Sequence, residues 1–186
     1  MKNMGGAKTK QPQVAADDAA AIRAARLGDK DAGAALIRKY WYDAQRTAYV
    51  TAMDLAASED IAQEAMLSAL ANLDGFDEGR PFAPWLHRIV VNKALDWVRA
   101  RSRRKELSWD DSRSLDLAGE SRGVDDQLFQ ALQRLAPEQR ALVAMRYLLG
   151  FPEAEIAEIL SVPRGTVGSR LRRALDQMKD SMESER

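Results

Sequence analysis

Glu153-Ala-Glu-Ile-Ala-Glu-Ile-Leu-Ser-Val-Pro-Arg-Gly-Thr-Val-Gly-Ser-Arg-Leu-Arg-Arg-Ala174 reads as a short acidic helix, a tight turn and a second, basic helix. That is the layout of a helix-turn-helix, whose second helix enters the DNA major groove. In this last helix Val167, Leu171, Ala174, Leu175 and Met178 recur at helical spacing and form the expected apolar stripe. Ser169, Arg172, Arg173 and Asp176 lie opposite, with Arg164 and Arg170 to the sides. Arginine suits bidentate contact with guanine and phosphate, and serine suits either. A solvated basic face on an ordinary helix would show the same charges. The preceding turn and short amphipathic helix favour DNA contact.

The formal charge of the 186-residue chain is zero, with 28 basic and 28 acidic residues. Its distribution is more informative than its sum. Arg80 to Lys105 holds eight Lys/Arg against one acid, Asp96; Glu106 to Leu128 holds seven acids against Arg113 and Arg122; Arg164 to Lys179 is basic again. Local fields act over roughly 8–10 Å at physiological salt, so two positive patches can grip phosphate despite the neutral total. The chain has no cysteine and one histidine, His87. Disulfides, thiol redox sensing and cysteine- or multi-histidine zinc sites are excluded. No run of about 18 apolar residues marks a membrane span, and the polar start, Met1 to Val14, lacks the apolar stretch of a secretory signal. The reading is a soluble, cytoplasmic protein.

Periodicity is helical almost throughout. A first helix is expected from Asp17 or Asp18 to Gly28, a second over residues 30–53, and a third capped by Ser58 and running to about Asn72. Asp74-Gly-Phe-Asp-Glu-Gly-Arg-Pro81 is a loop, and a long fourth helix follows to Lys105, with Pro84 tolerable in its first turn. Residues 106–123, rich in Ser, Asp and Gly, form the linker. Beyond it come a segment over 124–135, a helix from Pro137 to Gly150, and the helix-turn-helix. The fold is therefore all-α: a disordered tail over 1–16, a helical domain over 17–105, the flexible acidic linker over 106–123, and a second small domain over 124–182.

The fourth helix buries Leu86, Ile89, Val90, Ala94 and Trp97 and projects Arg88, Asn92 and Arg99 from the other side, before the cluster Arg99, Arg101, Arg103, Arg104, Lys105. Basic groups beside aromatics suit melted DNA, where bases stack on rings while cations hold phosphates. Trp97 reads as core. Trp85 is open between the core and a stacking role. The third helix sets Asp60, Gln63, Glu64, Leu67 and Ala71 opposite its core stripe. An exposed leucine among acids and an amide fits a protein-binding face, or a solvated face with one stray leucine. Asp60 and Glu64 could also hold a metal or act as paired carboxylates, and Ser102-Arg-Arg-Lys105 formally matches a nucleophile motif. Both matches arise cheaply by chance and have no companion motifs, so no catalytic residue, metal or cofactor is assigned.

Four stretches together resemble the extracytoplasmic-function (ECF) sigma factors, the minimal promoter-specificity subunits of bacterial RNA polymerase. They are Asp60-Ile-Ala-Gln-Glu-Ala-Met66; Phe76-Asp-Glu-Gly-Arg-Pro-Phe-Ala-Pro-Trp-Leu-His-Arg-Ile-Val-Val-Asn92; Leu135-Ala-Pro-Glu-Gln-Arg140; and Glu155-Ile-Ala-Glu-Ile-Leu with Pro163 to Ala174. They occur in family order with matching spacing, over about residues 18 to 180. The resemblance implies a region 2-like domain over 17–105 and a region 4-like domain over 124–182. It implies that Asp60, Gln63, Glu64 and Leu67 dock on the clamp helices of the core polymerase. It implies that the loop with Asp74, Phe76, Asp77 and Arg80 captures a flipped base of the melted −10 element, with Trp85 among the −10 contacts. Arg88 and Asn92 would contact that region, and Arg99 and Arg103 its phosphates. Arg164, Thr166, Ser169, Arg170, Arg172 and Arg173 would read the duplex −35 element. The linker would thread toward the polymerase active-site and RNA-exit channels. A separate anti-sigma factor would regulate the protein in a stress response, with no membrane or small-molecule substrate involved. The alternative is a stand-alone helix-turn-helix regulator. Gly168 stands where relatives usually carry lysine or arginine, and Pro84 before Trp85 is atypical.

Overall fold

A computed structural model describes residues 11–107 and 126–183. It is helical, with no strand among the described residues, and none of its helices is long and apolar enough to cross a membrane. The first unit contains α1 (Gln11–Arg26), α2 (Lys30–Ala52), α3 (Leu55–Ala71), a 3-10 turn (Leu73–Gly75) and α4 (Phe82–Leu107). The second contains α5 (Asp126–Gln133), α6 (Pro137–Val143) with a π-helical turn (Ala144–Leu148), α7 (Glu153–Leu160) and α8 (Arg164–Glu183).

Local chemistry sets the boundaries. Gly28, at φ 91°, ends α1. Its N–H donates to the Ala25 carbonyl at 3.0 Å and that of Asp29 to the Ala24 carbonyl at 3.0 Å, which is a Schellman closure. Asp29 then caps α2 by accepting from the N–H groups of Asp31 and Ala32. Met53 ends α2 in the left-handed region, and Asp54 caps α3 by accepting from Ala57 N–H at 2.9 Å. Ser58, the expected cap, instead lies within α3 and donates to the Leu55 carbonyl at 2.7 Å. The aspartate four residues earlier supplies an acceptor already aimed at the free N–H groups, so the helix starts there. Similarly α1 begins at Gln11, so residues 11–16, expected in the tail, are helical. The first two residues of the expected linker extend α4; residues 108–123, and 124–125 beyond them, lie outside the described residues.

Ile22, Leu36, Tyr40, Ile61, Met66, Leu73, Phe82, Leu86 and Val90 fill the core of the first unit. Asp18, buried beneath α1, accepts from the Tyr40 hydroxyl and the Lys39 ammonium, which fixes α1 to α2. Burial, and then the hydrogen bond to Asp18, hold the Tyr40 phenol well above its usual pKa.

The second unit does not stand apart. Its core of Leu132, Leu135, Leu142, Met145, Phe151, Ile156, Val167 and Leu171 continues into Val50 and Met53 of α2 and Val91 and Leu95 of α4. Thus α4 buries two adjacent faces: Leu86, Val90 and Ala94 toward its own unit, and His87, Val91 and Leu95 toward the other. Each fully buried aliphatic side chain contributes about 1.5–3 kcal/mol. Arg140, 7% exposed, adds a polar clamp. Its Nε and Nη2 donate to the Thr51 carbonyl at 3.0 and 2.8 Å, and its Nη1 to the Leu135 carbonyl at 2.7 Å. Thr51 is in the last turn of α2, where carbonyls lack helical partners, so one guanidinium satisfies a helix end across the interface.

Candidate nucleic-acid interface

α7 and α8 form the expected helix-turn-helix, with Ser161 in the left-handed region at the turn. Val167, Leu171, Ala174 and Met178 are buried as predicted, but Leu175 is 39% exposed. It lines a recess with Gln127, Met178 and Lys179, because α5 covers only part of α8 there. Arg164, Ser169, Arg170, Arg172 and Arg173 are exposed and Thr166 half-buried. The four arginines make no ion pair among the described residues. Ser169 donates to the Thr166 carbonyl at 3.0 Å, so part of its hydrogen-bonding capacity is used within the helix. At Gly168 an added Cβ would lie 3.3 Å from Glu153 Oε2, which places that carboxylate against α8.

The loop between α3 and α4 is closely tied down. The Asp77 carboxylate accepts from Gly79 N–H at 2.9 Å, and Arg80 N–H donates to the Asp77 carbonyl at 3.0 Å. Asp74, Asp77 and Arg80 are exposed. Phe76, expected among the DNA contacts, is 5% exposed, which corrects that expectation. Its ring packs 5.4 Å from that of Phe82 and 5.1 Å from that of Trp85, so it anchors the loop from below. Trp85 is half-buried and lines a recess of about 440 Å³ with Phe76, Arg80, Arg88, Glu155 and Glu158. It thus belongs partly to the core and partly to the wall of this recess. Asn92, Arg99 and Arg103 are exposed along the outer side of α4, while Trp97 is half-buried under the Arg101 guanidinium.

α7 forms the opposite wall of that recess. Arg80 pairs with Glu158, and Arg88 Nη2 donates to Ser161 Oγ at 3.1 Å. Burial, and then the Glu158 carboxylate, raise the Glu155 pKa. Arg99 lies 3.1 Å from Asp96 and 3.7 Å from Glu138, and Arg101 2.6 Å from Asp54. Beneath this contact His87 is 1% exposed, its Nδ1 3.3 Å from Thr47 Oγ1 and its ring edge-on to Phe151 at 5.5 Å. Desolvation lowers its pKa to about 4, so it is neutral at neutral pH. Neither His87 nor Arg140 stood out in the sequence as functional. On α3, Asp60, Gln63, Glu64 and Leu67 share one exposed face, with Leu67 57% exposed and Glu64 3.4 Å from Lys93.

The family models for sigma-70 region 2 and sigma-70 region 4 match residues 36–104 and 125–178. The chain is 34% identical to the ECF RNA polymerase sigma factor SigM of Mycobacterium tuberculosis, over 84% of this chain and 80% of that protein. The chain belongs to the ECF sigma factor family. It is also 28% identical to the ECF sigma factor SigW of Bacillus subtilis, over 87% of this chain and 94% of that protein. Among solved structures it resembles CnrH, in complex with the cytosolic domain of CnrY, with a TM-score of 0.71 at 23% identity, covering 91% of this chain and 99% of that one. The sigma factor RpoE bound to the anti-sigma factor NepR from Bartonella quintana gives a TM-score of 0.66 at 22% identity, covering 81% and 98%. As an ECF sigma factor the protein directs RNA polymerase to promoters, which disfavours the stand-alone regulator. Region 2 covers most of α2 through α4 and region 4 α5 through α8, while α1 lies outside both matches.

Proposed function

We propose a division of labour over the surfaces of this sigma factor. The exposed arginines of α8 read the −35 duplex. The Asp74–Arg80 loop with Trp85, Arg88 and Asn92 handles the melted −10 element, Arg99 and Arg103 grip its phosphates, and the Asp60, Gln63, Glu64, Leu67 face docks on core polymerase. The functional domains are 17–105 and 124–182, with 106–123 as the linker between them. The protein is cytoplasmic and is not itself an enzyme; the polymerase supplies the chemistry. The observation that carries this reading is the presence on one chain of two separate cationic surfaces and an exposed acidic face with a protruding leucine. An anti-sigma protein is the regulatory partner; the structurally similar RpoE is bound to the anti-sigma factor NepR, and CnrH to the cytosolic domain of CnrY.

Because α7 occupies Arg80 and Arg88, the closed arrangement is the DNA-free form, and region 4 has to leave α4 before those side chains reach DNA. Run-off transcription with purified core polymerase on a fragmented genomic template tests the reading. The expected result is discrete transcripts sharing upstream elements, lost on Asp60→Arg with Glu64→Arg. Unchanged output from that double variant would remove the polymerase-docking assignment.

A further inference from the structure

Arg26, in the last turn of α1, reaches over to the loop between α3 and α4. Its Nε and Nη2 donate to the Leu73 carbonyl at 2.8 and 2.6 Å, its Nη2 also reaches the Phe76 carbonyl, and its Nη1 lies 2.5 Å from Glu78 Oε1. Arg23 Nη1 takes the other oxygen of the same carboxylate at 2.9 Å. One planar guanidinium therefore joins acceptors from both sides of the loop's turn. A lysine ammonium, a compact point charge, cannot offer the same fixed fork.

The position of Arg26 is itself fixed. The Schellman closure at Gly28 and the Asp29 cap leave no slack between α1 and α2, and Ile22, 1% exposed, buries α1 one turn earlier. Nothing else among the described residues bonds the Leu73 carbonyl except Phe76 N–H within the 3-10 turn, at 3.0 Å. The loop's shape thus depends on a helix outside the region 2 match.

We propose that Arg26 is a positioning residue for the −10 base-capture loop, setting its shape, and hence its base preference, without touching DNA. The inference rests on the reading that this loop captures a flipped base. Capture must offset the cost of unstacking, and a pocket built beforehand does so better than one ordered on binding.

The test uses holoenzyme assembled from the full chain and core polymerase, with fork-junction DNA carrying a randomised unpaired −10 segment. The bound fraction is sequenced, and base preference is read at each unpaired position. Arg26→Ala and Arg26→Lys are both expected to reduce the preference at the most selective position about tenfold. Preference for the −35 duplex should stay at the wild-type level. If Arg26→Ala does not fold, Arg26→Lys, which keeps the charge but not the fork, decides. Binding that falls on all sequences with base preference intact would make Arg26 merely structural and overturn the proposal. A wild-type protein without preference at any unpaired position would instead sink the base-capture reading, and this inference with it.

Discussion

On α8 the arginines Arg164, Arg170, Arg172 and Arg173 stand exposed without an ion pair among the described residues, whereas across the proposed −10 surface Arg80, Arg88 and Arg99 each hold an intramolecular partner. The first set can meet phosphate without giving anything up. The second must exchange protein contacts for DNA contacts. The contacts that mask it are unequal. The Arg80–Glu158 pair is exposed on both sides, and such pairs are worth about 0–1 kcal/mol. The firm attachment lies beneath, in Arg140 and the apolar contact around His87.

Removing that attachment should have the largest effect. Arg140→Ala leaves the Thr51 and Leu135 carbonyls without this donor and should cost about 3 kcal/mol in denaturant unfolding. In the free protein it should expose the α2 C-terminus to hydrogen exchange and increase binding of a single-stranded −10 oligonucleotide, with −35 duplex binding unaltered. Equal gains on both DNAs would break the contrast between a masked and an open surface.

Acid should loosen the same contact. The folded-state pKa of His87 is lowered, so the unfolded chain takes up its proton first as pH falls. Stability is then complete above about pH 6.5 and declines by about 1.4 kcal/mol per pH unit toward pH 4, or about 2 kcal/mol at pH 5. Comparing denaturant midpoints at pH 7 and 5 for the wild type and His87→Gln checks this. A slope that survives the substitution belongs to other groups.

On the open surface, Arg172→Ala should reduce −35 discrimination by about 1–3 kcal/mol if the side chain makes a bidentate base contact. A uniform loss across duplex sequences, measured by competition binding, would reassign it to phosphate. The smallest change is expected from Gly168→Lys. Replacing a mid-helix glycine should gain roughly 0.5–1 kcal/mol, because the neighbour that must shift is only the flexible end of Glu153. The added cation should steepen the salt dependence of −35 binding by about one unit of slope. A lower melting temperature would show that the Glu153 carboxylate cannot yield.

Helical periodicity was enough to reveal the helix-turn-helix, the extent of α2 and the outer faces of α3 and α8, since those elements have one wet side and one dry side. It failed where a helix is dry on two sides. The run Leu86-His-Arg-Ile-Val-Val91 is apolar over most of its circumference, so the stripe through Leu86 and Val90 was visible and the one through His87, Val91 and Leu95 was not. Phe76 was misread because an aromatic in a polar loop looks available until Phe82 and Trp85 close around it. Arg26 and Arg140 carry no local signal for these roles, since the contacts that matter are with carbonyls 47 and 89 positions away, those of Leu73 and Thr51.

The π-helical turn at Ala144–Leu148 has a consequence in residue counting. Leu149 N–H bonds back to the Ala144 carbonyl at 3.2 Å and Phe151 N–H to the Met145 carbonyl at 3.0 Å, so this turn holds more chain than an α-helical one would. Deleting a single residue there could leave an ordinary helix, yet everything downstream would swing by about 100° around its axis. Phe151 would leave His87, and α7 would no longer face Arg80 and Arg88. Segment length, alongside the Arg140 clamp and the shared apolar core, sets how the two regions close on each other.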